Sequence, residues 1–269
     1  MPRATLATIA RGGHLAAMNA LAETVRLSDP DRYFCALLAP AARRDGLFTL
    51  YAFNHELARA LEVAREPGLS LIRLHWWREV VEGEARRHEV ATPLRALVAS
   101  GGVPAALLLE MIAAREAVAV DPPATLDAVA AGPGALAAAA GAVLGAAAAD
   151  LAALRAVGGA YGVAGTLRNV PALALAGRCA LPQDVLNAAG LSREQAAADP
   201  ALALDACGPA MRAAGLALLG PRRRFARAVM SAALPGVLAR RDLGRRGIVA
   251  SRGLGDRLAV LRAATICVV

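Results

Sequence analysis

Metals are held and protons moved by carboxylates one helical turn apart, by paired histidines or by paired cysteines, and this chain is sparing with all three. In the segment Tyr51 to Glu62 (YAFNHELARALE), Glu56, Arg59 and Glu62 recur at i, i+3 and i+6. On a helix that spacing makes a surface ladder of ion pairs, each worth roughly 0.2–0.5 kcal/mol. Ala58 and Glu62 share one helix face, so that face offers a single carboxylate. The segment Tyr161 to Pro182 (YGVAGTLRNVPALALAGRCALP) carries Arg168, Asn169 and Arg178 but no acid. His55 and His75 belong to no H-x-x-x-H or H-E-x-x-H pattern. Cys35, Cys179, Cys207 and Cys267 are far apart, with no C-x-x-C pair. Their spacing is neither a zinc site nor a disulfide framework, and it fits free buried thiols in a reducing compartment.

The two segments resemble the signature helices of the squalene/phytoene synthase family, which joins two isoprenoid diphosphates head to head. The family's first motif reads roughly Y-A-F-x-R-x-x-D-D-x-x-D, and its three aspartates fall without a gap on Ala58, Arg59 and Glu62. The second reads roughly N-I-L-R-D-V-x-E-D-x-x-R-G-R-x-Y-L-P and runs from Gly165 to Pro182. There Arg168, Val170, Gly177, Arg178, Leu181 and Pro182 match, while Asn169, Ala172 and Leu173 stand at the acidic positions. Arg44, seven residues before Tyr51, also matches a basic position. The likeness covers about residues 28 to 190. It implies an all-α, isoprenoid-synthase-type helical bundle around a central apolar cavity. Within the family, AFNHELA (Ala52 to Ala58) and LIRLHWWRE (Leu71 to Glu79) are similar to the branch containing the mitochondrial complex I assembly factor.

In that family magnesium ions bridge facing aspartates to the diphosphate. Magnesium demands near-octahedral oxygen ligation and serves as Lewis acid and template. With most of the acidic charge gone from the two walls, no cofactor is expected, and magnesium enters only if the chain is an active prenyltransferase with replacement ligands, Glu62 with Glu79 or Glu82. Arg44, Tyr51, Arg168 and Arg178 are the candidate residual contacts to substrate or diphosphate. Arg168 and Arg178 suit equally a pairing with acids elsewhere, and Tyr51 suits the core. The resemblance implies a non-catalytic scaffold or assembly factor for the membrane-bound NADH:quinone oxidoreductase, with a protein partner. It places the chain in the cytoplasm or at the inner membrane face, or on the matrix side in a eukaryote. A third reading keeps the cavity for an isoprenoid or lipid ligand without chemistry.

The composition supports helices independently. Hydrophobic residues make up 57% of 269, mostly alanine and leucine, and aromatics only 3%; such a chain favours helix over strand. All 30 basic residues are arginine. Eleven of them lie in residues 221–262 with only Asp242 and Asp256 to oppose them, while the whole chain carries +8. That basic region suits a solvated face or contact with anionic membrane or protein, and the lack of motifs and of interleaved aromatics beyond Phe225 argues against nucleic acid.

One domain spanning 1–269 is expected, with 1–28 as a peripheral segment. That segment has no acid before Glu23 and holds Arg3 and Arg11, which leaves a targeting role open. Asp29-Pro30 reads as a capped helix start and Ser192 to Gln195 as a capping box. Helices are expected near 70–88, 93–100, 103–117, 134–149, 150–170, 203–218, 221–232 and 254–265. The uncharged stretch Ala128 to Ala149 is long enough for a membrane span, but its alanine and glycine fit a closely packed helix pair better. Adjacent Trp76 and Trp77 cannot share a face, so one should enter the core.

Overall fold

The computed structural model describes residues 17–63, 66–245, 247 and 251–269. Arg3 and Arg11 lie outside the described residues. Helix α1 runs through 17–28, followed by α2 (Pro30–Leu37), α3 (Ala41–Val63), α4 (Pro67–Glu82), α5 (Ala91–Ala99) and α6 (Ala105–Val120). Next come α7 (Leu126–Val143), α8 (Ala148–Ala174), α9 (Gln183–Ala188), α10 (Arg193–Ala198) and α11 (Pro200–Leu219). The chain ends with α12 (Met230–Ala233), α13 (Pro235–Gly244) and α14 (Leu254–Ile266). Among the described residues the one β feature is an isolated antiparallel bridge between Arg224 and Val268.

Local chemistry sets the boundaries. The Asp29 carboxylate accepts from the Arg32 backbone N–H ahead of Pro30, Ser192 and Gln195 form a reciprocal capping box, and Gly83 ends α4 at φ 119°. Because glycine has no Cβ, it takes that left-handed conformation without strain. The expected helix at 70–88 therefore stops at Glu82. Pro133, expected to precede a helix, sits inside α7.

Helix α8 is the spine, packing against α7, α11 and α13. The approach of α7 is close because the facing residues are small. A Cβ on Gly158 would overlap the Pro133 carbonyl oxygen and the Ala137 methyl, and one on Gly162 would meet the Pro133 ring. Alanine and glycine thus make a core by letting backbones approach, which is why so few aromatics suffice. By length and composition α7 and α11 could each cross a membrane, yet half of α7's apolar window is buried against its neighbours. Larger side chains fill the other side, where Trp77 is buried edge-on to Phe53 with ring centroids 5.4 Å apart, and Trp76 stays half-exposed.

Two expectations need correction. The segment 1–28 is not peripheral where it is described, since Met18, Leu21 and Val25 of α1 are buried in the core. Nor is 221–232 one helix: after Gly220 and Pro221 the chain runs extended. Arg223 N–H donates to the Val269 carbonyl, Val269 N–H returns the bond, and Phe225 N–H donates to Cys267. Proline at 221 and three arginines without apolar periodicity leave the backbone to pair with the tail instead of coiling.

Candidate functional site

A cavity of about 1060 Å³ opens between α2, α6, α7, α8 and α14. Met111 and Val118 of α6, Val129 and Leu136 of α7, Phe34 and Val260 give it apolar walls. Its other end is ionic. Asp31, on the first turn of α2, accepts hydrogen bonds from the Tyr161 hydroxyl (2.9 Å), from Arg168 Nη1 (3.3 Å) and from Arg252 Nε (2.9 Å). Asp242 of α13 accepts from Arg252 Nη1 at 2.6 Å and from Arg168 Nη1 at 3.4 Å. Two arginines and two aspartates from four parts of the chain therefore close one network. Burial alone would raise the Asp31 pKa, but the bonds from Arg252 and Tyr161 and the Arg168 charge hold it below the usual carboxylate range.

A second ion cluster adjoins it. Asp256 accepts from Arg241 Nε at 2.6 Å and Arg245 Nη2 at 2.8 Å. These bonds, against a desolvation that acts the other way, also hold its pKa low. Arg32 pairs with Asp29 at 2.6 Å and lies 4.7 Å over the Tyr161 ring, a cation–π contact. Arg115 of α6 lines the cavity without an ion-pair partner among the described residues. Desolvation and the nearby Arg32 charge lower its pKa, and Glu62 acts in the opposite direction.

Of the residues singled out from the sequence, Arg168 and Asn169 line this cavity. Ala58, Arg59, Glu62, Ala172 and Leu173 are not among its lining residues; α3 contributes Asn54, one turn before Ala58. Arg59 bonds Glu56 at 3.0 Å, the expected surface ladder, and Glu62 is exposed. Tyr51 is buried in the core, its hydroxyl pKa pushed up by desolvation. Arg44 donates to the Ala39 carbonyl at 3.0 Å, and Arg178 is exposed beyond α8. Glu79 pairs with Arg86 at 2.8 Å and Glu82 is exposed, and neither joins Asn169 among the residues lining the cavity.

Comparison with known proteins agrees with this architecture. The family model described as Squalene/phytoene synthase matches residues 25–264. The chain belongs to the squalene/phytoene synthase family. Two solved relatives have the same fold: a dehydrosqualene synthase (TM-score 0.67, 12% identity, covering 94% of this chain and 97% of that one) and the squalene synthase HpnC from Alicyclobacillus acidocaldarius (0.58, 18%, 93% and 94%). Among curated proteins, NADH dehydrogenase (ubiquinone) complex I, assembly factor 6 of Homo sapiens is 40% identical over 60 residues, 22% of this chain and 18% of that protein. The Bos taurus protein is 38% identical over the same length. The chain thus matches about a fifth of the length of these curated relatives.

A squalene/phytoene synthase fold implies magnesium, and the donors here do not fit it. The two signature helices present amides, Asn54 and Asn169, to the cavity. The carboxylates that reach it, Asp29, Asp31 and Asp256, are each already bonded to arginine. Among the described residues no group of three or more His, Cys, Asp or Glu could hold a metal ion. Of the two arginines kept from the second family motif, Arg168 is paired with Asp31 and Asp242 and Arg178 is exposed. Sequence reasoning missed Asp31, Asp242 and Arg252. The one signal was for Asp242, which with Asp256 stands alone among the eleven arginines of residues 221–262.

Proposed function

We propose that this squalene/phytoene synthase-family protein does not join prenyl diphosphates and acts as a scaffold or assembly factor for a membrane-bound NADH:quinone oxidoreductase. One observation carries the reading: Arg168, which a diphosphate would need, is engaged by two carboxylates of the same chain. A substrate would have to displace Asp31 and Asp242 and leave them buried beside its own negative charge, an arrangement that costs several kcal/mol per unpaired ion. The partial likeness to complex I assembly factors supplies the partner class. The protein then works at the inner membrane face, on the cytoplasmic side in a bacterium or the matrix side in a mitochondrion.

The test has two arms. Purified protein incubated with farnesyl or geranylgeranyl diphosphate and magnesium is expected to release no pyrophosphate above background. Release that vanishes in Glu62→Gln would overturn the non-catalytic reading. In cells, loss of the protein should lower the amount of assembled oxidoreductase on native gels, and Glu62→Gln should restore it. An unchanged amount of complex after deletion removes the assembly role.

A further inference from the structure

Helix α14 has 13 residues and an outward face of unusual composition. Leu254, Leu258 and Leu261 are 78%, 64% and 41% exposed. At about 100° per residue these three and Thr265 fall within about 60° of one another. Asp256, Val260 and Ala263, the residues α14 buries, lie on the opposite side. The leucine stripe therefore points straight away from the protein, where a helix packed on a soluble core carries its polar residues. Arg257, which also lines the cavity, and Arg262 flank the stripe on its two sides by the same count, both exposed and neither in an ion pair among the described residues. The only acid of α14 is the buried Asp256.

The neighbouring element extends the pattern. The extended segment after Pro221 pairs with the tail beyond α14, and Arg224 Nη1 donates to the Ile266 carbonyl at 3.2 Å. Arg222, Arg224 and Arg227 are exposed there, and Ile266 is also exposed. By contrast Arg241, Arg245 and Arg252 turn inward onto aspartates. Among the described arginines of this region, Arg241, Arg245 and Arg252 thus hold aspartates, while Arg222, Arg224, Arg227, Arg257 and Arg262 are exposed on or beside α14.

We infer that the outer face of α14 docks on the surface of an anionic lipid bilayer, with Leu254, Leu258 and Leu261 entering the acyl boundary. Arg257 and Arg262 reach lipid phosphates on either side, as arginines do at an interface. The charge pattern selects the occupant, since a second copy of this face would set arginine against arginine. The inference deepens the membrane location proposed above but needs no protein partner, so either can fail alone.

The test is flotation of the purified chain with vesicles of phosphatidylcholine, with or without phosphatidylglycerol, at low and high salt. Binding is expected with phosphatidylglycerol and should weaken with salt. Leu258→Glu should weaken it about tenfold, and Arg257→Gln and Arg262→Gln about fivefold each. These surface changes should leave the helical circular dichroism and melting temperature intact. No binding to phosphatidylglycerol vesicles would overturn the inference, as would equal binding by Leu258→Glu. A dimer that Leu258→Glu dissociates, in a protein that ignores vesicles, would assign the face to a second copy.

Discussion

Replacing Asp31 by asparagine tests whether the ionic end of the cavity is a self-satisfied lock. The Asp31 side chain is 12% exposed and bonds Arg168, Arg252 and Tyr161. Without its charge, two arginines are left to share Asp242. Removing one partner of a buried ion pair costs about 3–5 kcal/mol, and the residual exposure together with Asp242 places this case near 3. For a chain of this size about 2–4 °C of melting temperature accompanies each kcal/mol, so Asp31→Asn should melt roughly 6–12 °C below the parent. Combined with Arg252→Met, it should show a coupling of roughly 1–3 kcal/mol. Pyrophosphate then separates a lock from ordinary packing. With Asp31 neutral, the anion can take its place between Arg168 and Arg252, stabilising the variant by about 2.7 kcal/mol at a hundredfold excess over Kd, and the parent by much less. Differential scanning fluorimetry with and without pyrophosphate reads both effects. A melting point within about 2 °C of the parent, strictly additive changes, or equal stabilisation of parent and variant would each refute the argument.

Other predictions concern the same framework. Asp31 and Asp256 have folded-state pKa values below their unfolded ones, so their contribution is complete above about pH 4 and is lost as pH falls below it. Urea midpoints should drop across that window, and less steeply in Asp31→Asn. Gly158→Ala, whose methyl would overlap the Pro133 carbonyl, should destabilise by about 1–3 kcal/mol, whereas Gly165→Ala, with nothing within 4 Å, should stabilise by about 0.5–1 kcal/mol; opposite signs in denaturation are the check. Cys35 and Cys207 are buried, and desolvation pushes both thiols up. Ellman's reagent should therefore titrate Cys179 and Cys267 promptly in the native protein and the other two only after unfolding.

The helices were legible because their signals are local. Proline after Asp29 and the Ser192 capping box each act within a turn or two. The helix pair formed by α7 and α8 could be read from alanine and glycine, since small residues in long runs have little else to pack with. The ends of α4 and the 221–232 segment were misread because both depend on partners elsewhere: a left-handed Gly83 in one case, the 267–269 tail in the other. The cavity's ionic end was hidden for the same reason. Asp31 and Arg252 are 221 residues apart, and nothing in the neighbourhood of either announces the other. The family motif did point to Arg168, but its partners had to come from the fold.

That separation also sets an order of events at the ribosome. Asp31 emerges early, and its arginine is synthesised 221 residues later. At about 5–20 residues per second the aspartate waits roughly 10–40 s for the guanidinium that closes the latch. Asp31 and Arg168 are therefore both made before Asp242 and Arg252 can complete the four-membered network.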